Sequence, residues 1–345
     1  MIKHPFFFNY QLDEAKDRYV TLDSLNIKAI LLLLSVIRSF VKGNYMAKYV
    51  QSHMEGIAMD VKGRRKSSNV EDRRGMSAGK IGGGIGGVGI IIAIIFTLLN
   101  GGDAGDVVSE VSKSITQNGA TSENYEPTAE EEELAEFVSV VLADTEDIWQ
   151  QLFADNGLTY ENPTLVLFTD SVSSGCGMQS AAVGPFYCPV DYKLYIDLSF
   201  YKELKNRFDA PGDFAMAYVV AHEVGHHVQT LLGTSEQVHA LNGKVSQAQY
   251  NEAVKRLELQ ADYYSGVWAH HVQDKGYLEE GDFEEALTAA NAIGDDTLQM
   301  EAQGYVVPES FTHGTSEQRM RWFKKGYNTG TLQGGDTFSL EASQL

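Results

Sequence analysis

One five-residue run constrains this chain more than any other feature: His222-Glu223-Val224-Gly225-His226, set within the apolar stretch Phe214 to Leu232. Ala217, Val219, Val220 and Ala221 lead into it, and Gly233 follows. That pattern predicts a helix with a glycine stop. Residues i and i+4 of a helix lie one above the other, so both imidazoles can reach a single metal ion. Glu223 projects near the ion's open position, where a carboxylate can take a proton from water. Polar groups in such an apolar helix cost free energy without structural return, which weighs against a chance match.

A catalytic zinc keeps three protein ligands. The candidates for the third are His227, His239, Glu258, His270, His271 and His313. His227 points about 100° away from His226 around the helix. Glu258 is the best placed. It shares a face with Asp262 on a second predicted helix, Ala248 to Asp274. One carboxylate of that pair can bind metal while the other accepts the N–H of a ligand histidine. Taken alone, the pair reads as an ordinary solvated helix face; downstream of an HExxH helix, the ligand reading is preferred.

The second constraint is Ile81 to Leu99, which is uncharged throughout. As a helix it would be about 28 Å long, near the hydrocarbon thickness of a bilayer. We read one transmembrane helix here. Its Gly84-x-Gly86-x-x-Gly89 lacks the strand context of a dinucleotide site. Gly82-x-x-x-Gly86 and Gly83-x-x-x-Gly87 suit close helix packing and so self-association. Arg64, Arg65, Lys66, Arg73, Arg74 and Lys80 precede the span, which predicts residues 59–80 as a basic cytoplasmic tail. The remainder would then lie outside, on the periplasmic or extracellular face of the inner membrane. There Cys176 and Cys188 are expected to pair. Residues 1–58 carry no interpretable motif; their apolar run Ala29 to Ile37 is too short to span, and a natural start near Met59 is one reading of them.

The formal net charge of −20 excludes nucleic acid as the main partner, since phosphate binding needs a cationic face. Residues 100–126 read as a linker, and a globular domain is expected over 127–330. In it, the capping box Thr128-x-x-Glu131 opens a helix to about Asp155. Thr164 to Phe168 and Tyr192 to Leu198 read as strands. Further helices are expected over Asp282 to Ala292 and from Thr315 to about Tyr327, with a disordered tail over 331–345. The fold class is α+β, mostly helical with a small sheet.

Several motifs together resemble a known family. These are Gly63-Arg64-Arg65 and Ser67 through Gly75, the Gly-rich segment, Cys176-Gly177, Gly184 through Pro189, and HEVGHH. They are similar to the putative neutral zinc metallopeptidase family of bacterial membrane proteins, over about residues 60–330. The later Glu258-Leu259-Gln260-Ala261-Asp262 and Thr312 through Arg319 resemble gluzincin peptidases. The resemblance implies a zincin-like domain that cuts peptide or protein substrates. It implies Zn2+ on His222, His226 and Glu258, Glu223 as general base, Asp262 behind a ligand histidine, and His313 as an oxyanion donor. It also implies that an edge strand near Tyr192 to Asp197 pairs with substrate; that segment reads equally as a plain packed strand. A rival reading is a membrane-tethered zinc scaffold without activity, against which the presence of Glu223 weighs. An intramembrane protease does not fit, because the HExxH helix also carries Asp213, His227 and Gln229.

Overall fold

The computed structural model describes Met59, residues 61–76 and residues 125–345. The capping box forms as expected: Thr128 accepts the Glu131 N–H while the Glu131 side chain accepts the Thr128 N–H. It opens α1 (Ala129–Asp155), whose Phe137, Val138, Val141, Leu142, Ile148 and Trp149 are buried in the main core. Three glutamates in the first turn complement the positive end of the helix dipole.

The sheet is small and mixed. It comprises β1 (Val70–Asp72), β2 (Thr164–Phe168), β5 (Phe186–Cys188) and β6 (Lys193–Asp197), in the order β1-β2-β6-β5. The pairs β1/β2 and β2/β6 are parallel, and β5/β6 is antiparallel. A separate hairpin pairs β3 (Ser171–Ser174) with β4 (Gly177–Ser180). β2 and β6 lie between partners on both sides, which matches their unbroken buried runs. The segment Tyr192 to Asp197 is therefore a central strand, and its backbone groups are committed within the sheet. Among the described residues the sheet edge next to it belongs to β5 instead.

The helices follow the sheet. They are α2 (Phe200–Asn206), α3 (Asp213–Leu231), α4 (Thr234–His239), α5 (Gln247–Asp274), α6 (Asp282–Ala292), α7 (Asp295–Gln303) and α8 (Ser316–Thr329). α3 packs on α1, α5 and α6, and α5 packs on α8. Glycines permit the closest approaches. A Cβ on Gly326 would stand 1.9 Å from the Tyr263 carbonyl oxygen, and one on Gly225 would stand 2.9 Å from that of Ala261.

Two segments expected to lie outside the domain are built into it. Residues 61–76 form no free tail. β1 joins the sheet, Asn69 accepts the Leu165 N–H through its carbonyl, and Ser67 donates its own N–H to the Ser139 carbonyl. Glu146 of α1 is nearly inaccessible to solvent and receives Arg65, Ser67 and Asn69 at 2.6–2.9 Å. Arg64 pairs with Asp144. The basic residues thus neutralise buried acids of α1, a pairing that composition alone does not show. Residues 331–345 are likewise ordered. Thr337 is buried with its hydroxyl on the Arg256 carbonyl, and the Arg256 guanidinium binds the carbonyls of Thr337 and Leu340.

Cys176 and Cys188 form a disulfide that ties the β3–β4 turn to β5. Among the described residues no helix is long and apolar enough to cross a membrane. The segment Ile81 to Leu99, with its glycine face, lies outside the described residues, as does most of the expected linker.

Candidate metal centre

α3 presents His222 and His226 on one face, and α5 crosses it at Gly225 and Ala261. That crossing brings Glu258 against both imidazoles. Glu258 Oε2 lies 3.2 Å from His222 Nε2 and 3.4 Å from His226 Nε2. Tetrahedral zinc with bonds of about 2.0–2.1 Å spaces its ligand atoms about 3.3–3.4 Å apart. Glu258 therefore already stands at zinc-tetrahedron spacing from both imidazoles, the three ligand atoms all lie within 4.8 Å of one another, and their donor types suit that ion.

Each imidazole is held through its other nitrogen. His222 Nδ1 lies 2.8 Å from Asp262 Oδ1, and His226 Nδ1 lies 2.9 Å from Gln229 Oε1. Both acceptors require a proton on Nδ1, which turns the Nε2 lone pairs toward Glu258. Gln229 is itself fixed, since its amide donates to the Leu257 carbonyl at 2.6 Å and to Gln260 at 3.1 Å.

Asp262 is fully buried. It accepts the Tyr218 hydroxyl at 2.6 Å and the Arg319 guanidinium at 2.9 and 3.0 Å. Burial favours the neutral acid, but Arg319 and His222 outweigh it and hold the carboxyl at about 2. Burial likewise works against a charged His222, yet Asp262 and Glu258 lift it to about 9. The pocket attracts positive charge strongly, and a divalent ion would take the place of the imidazole protons. Tyr218 and Arg319 have no role in the sequence reading. Tyr218 stands one turn before His222 on the same helix, and Arg319 closes the segment that begins at Thr312. The spacing signal was present for Tyr218; no spacing rule points from Arg319 to Asp262.

Glu223 is buried with the cluster, and its carboxylate has no hydrogen-bond or ion-pair partner among the described residues. His313 sits at the start of α8 with its side chain 45% exposed. Asp295 holds it, accepting the His313 backbone N–H at 2.6 Å and lying 3.3 Å from Nδ1. Burial opposes a charge on His313, but Asp295 and then Glu258 raise its proton affinity.

The other candidates are outside the three-residue cluster. His227 is sealed between the Tyr187 hydroxyl at 2.9 Å and the Glu161 carbonyl at 2.6 Å, and burial pushes it down to about 4. His270 and His271 bind the carbonyls of Tyr327 and Gly330 near the far end of α5. His239, exposed on α4, is not one of the three but stands near enough for the charges of His226 and Glu258 to act on it.

Comparison with known proteins agrees with this geometry. Residues 59–338 match the family described as putative neutral zinc metallopeptidase. The chain belongs to this family. It is 48% identical over 281 residues to the uncharacterized protein YpfJ of Escherichia coli (strain K12), which covers 80% of this chain and 97% of that relative. It is 43% identical over 205 residues to the uncharacterized protein Rv2575 of Mycobacterium tuberculosis, covering 56% of this chain and 66% of the relative. No solved structure matches it.

Proposed function

We propose that the protein is a zinc-dependent endopeptidase. The observation that carries this reading is the coincidence of three ligand groups gathered at zinc-binding range with a buried carboxylate, Glu223, that is unpaired among the described residues and one residue from the first ligand. His222, His226 and Glu258 would hold the ion. Zinc, when bound, polarises a carbonyl and makes water acidic near neutral pH.

Glu223 accepts the proton of the attacking water and returns it to the departing amide nitrogen. Asp262 and Gln229 keep both imidazoles in the ligating tautomer through the cycle. His313, partly exposed and favouring its proton through Asp295, donates a hydrogen bond to the carbonyl oxygen as negative charge gathers there. A peptide would lie extended along the edge of β5, whose Tyr187 touches His227 of the HEVGHH run.

The disulfide supports an oxidising compartment for the domain. We propose membrane attachment through Ile81 to Leu99. Since β1 pairs with β2, residues 61–76 and the catalytic domain belong on the same side of that membrane, so the attachment is not a single crossing between them, unlike the opposed arrangement expected from charge alone.

The test is Glu223→Gln. It should retain stoichiometric zinc and lose at least about a thousandfold in cleavage of a mixed peptide library, given the usual weight of general-base catalysis. A variant that cuts as fast as the parent would remove the assignment.

A further inference from the structure

Away from the zinc site, a second group of acids gathers where two helices begin. Asp213 opens α3 and Asp282 opens α6, with Glu285 in the first turn of α6. One oxygen of each lies within 4.8 Å of the others. Glu285 accepts the Phe214 N–H at 3.1 Å and covers Gly212, where a Cβ would meet its carboxyl at 2.0 Å. Asp282 is fully buried, and one of its oxygens accepts the Glu279 N–H at 2.9 Å. The other oxygen, Oδ1, has no partner, and neither does Oδ1 of Asp213.

The leading influences on Asp213, Asp282 and Glu285 are burial and neighbouring carboxylates, opposed by backbone N–H groups. Burial and mutual repulsion push both Asp213 and Glu285 to about 7. The two helix ends offset part of that repulsion, about half a charge each. Buried carboxylates with orphaned oxygens call for a cation.

A nitrogen already reaches the pocket. The Met59 backbone N–H is near enough to the Asp213 carboxyl to lower its proton affinity, and Met59 is 1% exposed within the main core. The family match begins at residue 59, and the Escherichia coli relative is matched over 97% of its own length. We propose that the working chain begins at Met59 and that Asp213, Asp282 and Glu285 bind its α-ammonium group.

An ammonium offers three donors to three carboxylates where an amide offers one. It supplies the missing charge and answers the orphaned oxygens. Capture of an amino terminus in a polar recess is a known mode of recognition. Here the ligand is the chain's own end, and it pins the β1 arm to the first residue of the helix that carries His222 and His226.

The test uses protein purified from its native host and expressed from its own gene. Intact mass and N-terminal sequencing should give Met59 with a free amine; a mature chain that retains residue 58 overturns the proposal. Trace labelling with acetic anhydride across pH then reads the α-amine. Its pKa should lie at least about one unit above the ordinary 7.7–8.0 and fall back toward that range in Asp282→Asn. An ordinary value in the parent protein overturns the proposal without recourse to any variant. Calcium titration should show no binding to the parent; stoichiometric calcium together with an ordinary amine would make the pocket a divalent site and also overturn it.

Discussion

The carboxylate of Asp262 stands between His222 and Arg319, 2.8 Å from the imidazole and 2.9 Å from the guanidinium, with all three side chains buried. One oxygen orients His222, the proposed zinc ligand, and both oxygens accept from the Arg319 guanidinium of a distant helix. Metal affinity and domain stability therefore meet in a single group. Asp262→Asn should cost about 3–5 kcal/mol by leaving Arg319 uncompensated, and should weaken zinc about 10–100-fold. The pair Asp262→Asn with Arg319→Met should regain stability without regaining zinc affinity. Denaturant titration and competition with a chelator separate the two effects.

The crossing of α3 and α5 depends on Gly225. A methyl group there meets the Ala261 backbone at 2.9–3.1 Å, and helix backbone cannot yield as a side-chain tip can. Gly225→Ala should cost about 1–3 kcal/mol from overpacking. Ala261 lies between Glu258 and Asp262, so α5 would move the third ligand outward. Lower zinc affinity with unchanged helix content by circular dichroism is the expected result.

His227 gives the domain an acid limit. Its folded value is held down near 4 by burial, against about 6.5 when exposed. The neutral ring is required, since Nδ1 accepts from Tyr187 while Nε2 donates to Glu161. Stability is then full above about pH 6.5 and declines as pH falls from there toward 4, by on the order of 3 kcal/mol in all. Chemical denaturation at several pH values reads the slope. His227→Gln should flatten it; an unchanged slope would place the acid limit in other groups.

Membrane topology follows from the sheet. Single cysteines in place of Met76, on the arm, and Leu158, in the catalytic domain, are both exposed positions. In membrane vesicles both should react with an impermeant maleimide from the same face. Labelling from opposite faces would mean that β1 and β2 do not pair in the membrane-attached protein.

Much of the architecture was legible because local rules act alone in some places. Thr128 and Thr315 announce their helices through capping boxes, and the helix ending at Asp155 falls where the pattern places it. The i,i+4 spacing reveals His222 with His226, and Glu258 with Asp262. Other elements depend on partners far away in sequence. Val70–Asp72 is only three residues long, and the arginines ahead of it suggested a tail outside the domain, but Asp144 and Glu146 of α1 pair with Arg64 and Arg65. The last residues looked polar and loose because the partners of Thr337 and its neighbours lie on α5. Gln229 and Arg319 were visible as residues but silent as parts of a site, since only the fold shows which nitrogen each one faces.

The parallel pairing of β1 with β2 joins Val70 to Leu165. On a ribosome the first of these strands emerges well before the second exists. The arm, with its arginines and its half-buried strand, must then wait without a partner for many seconds at ordinary synthesis rates. Contacts so distant along the chain slow folding, because loop closure comes before any gain from the contact. Return of the earliest strand therefore has to follow synthesis of β2, and a chain whose arm has not yet returned leaves the sheet edge at β2 open.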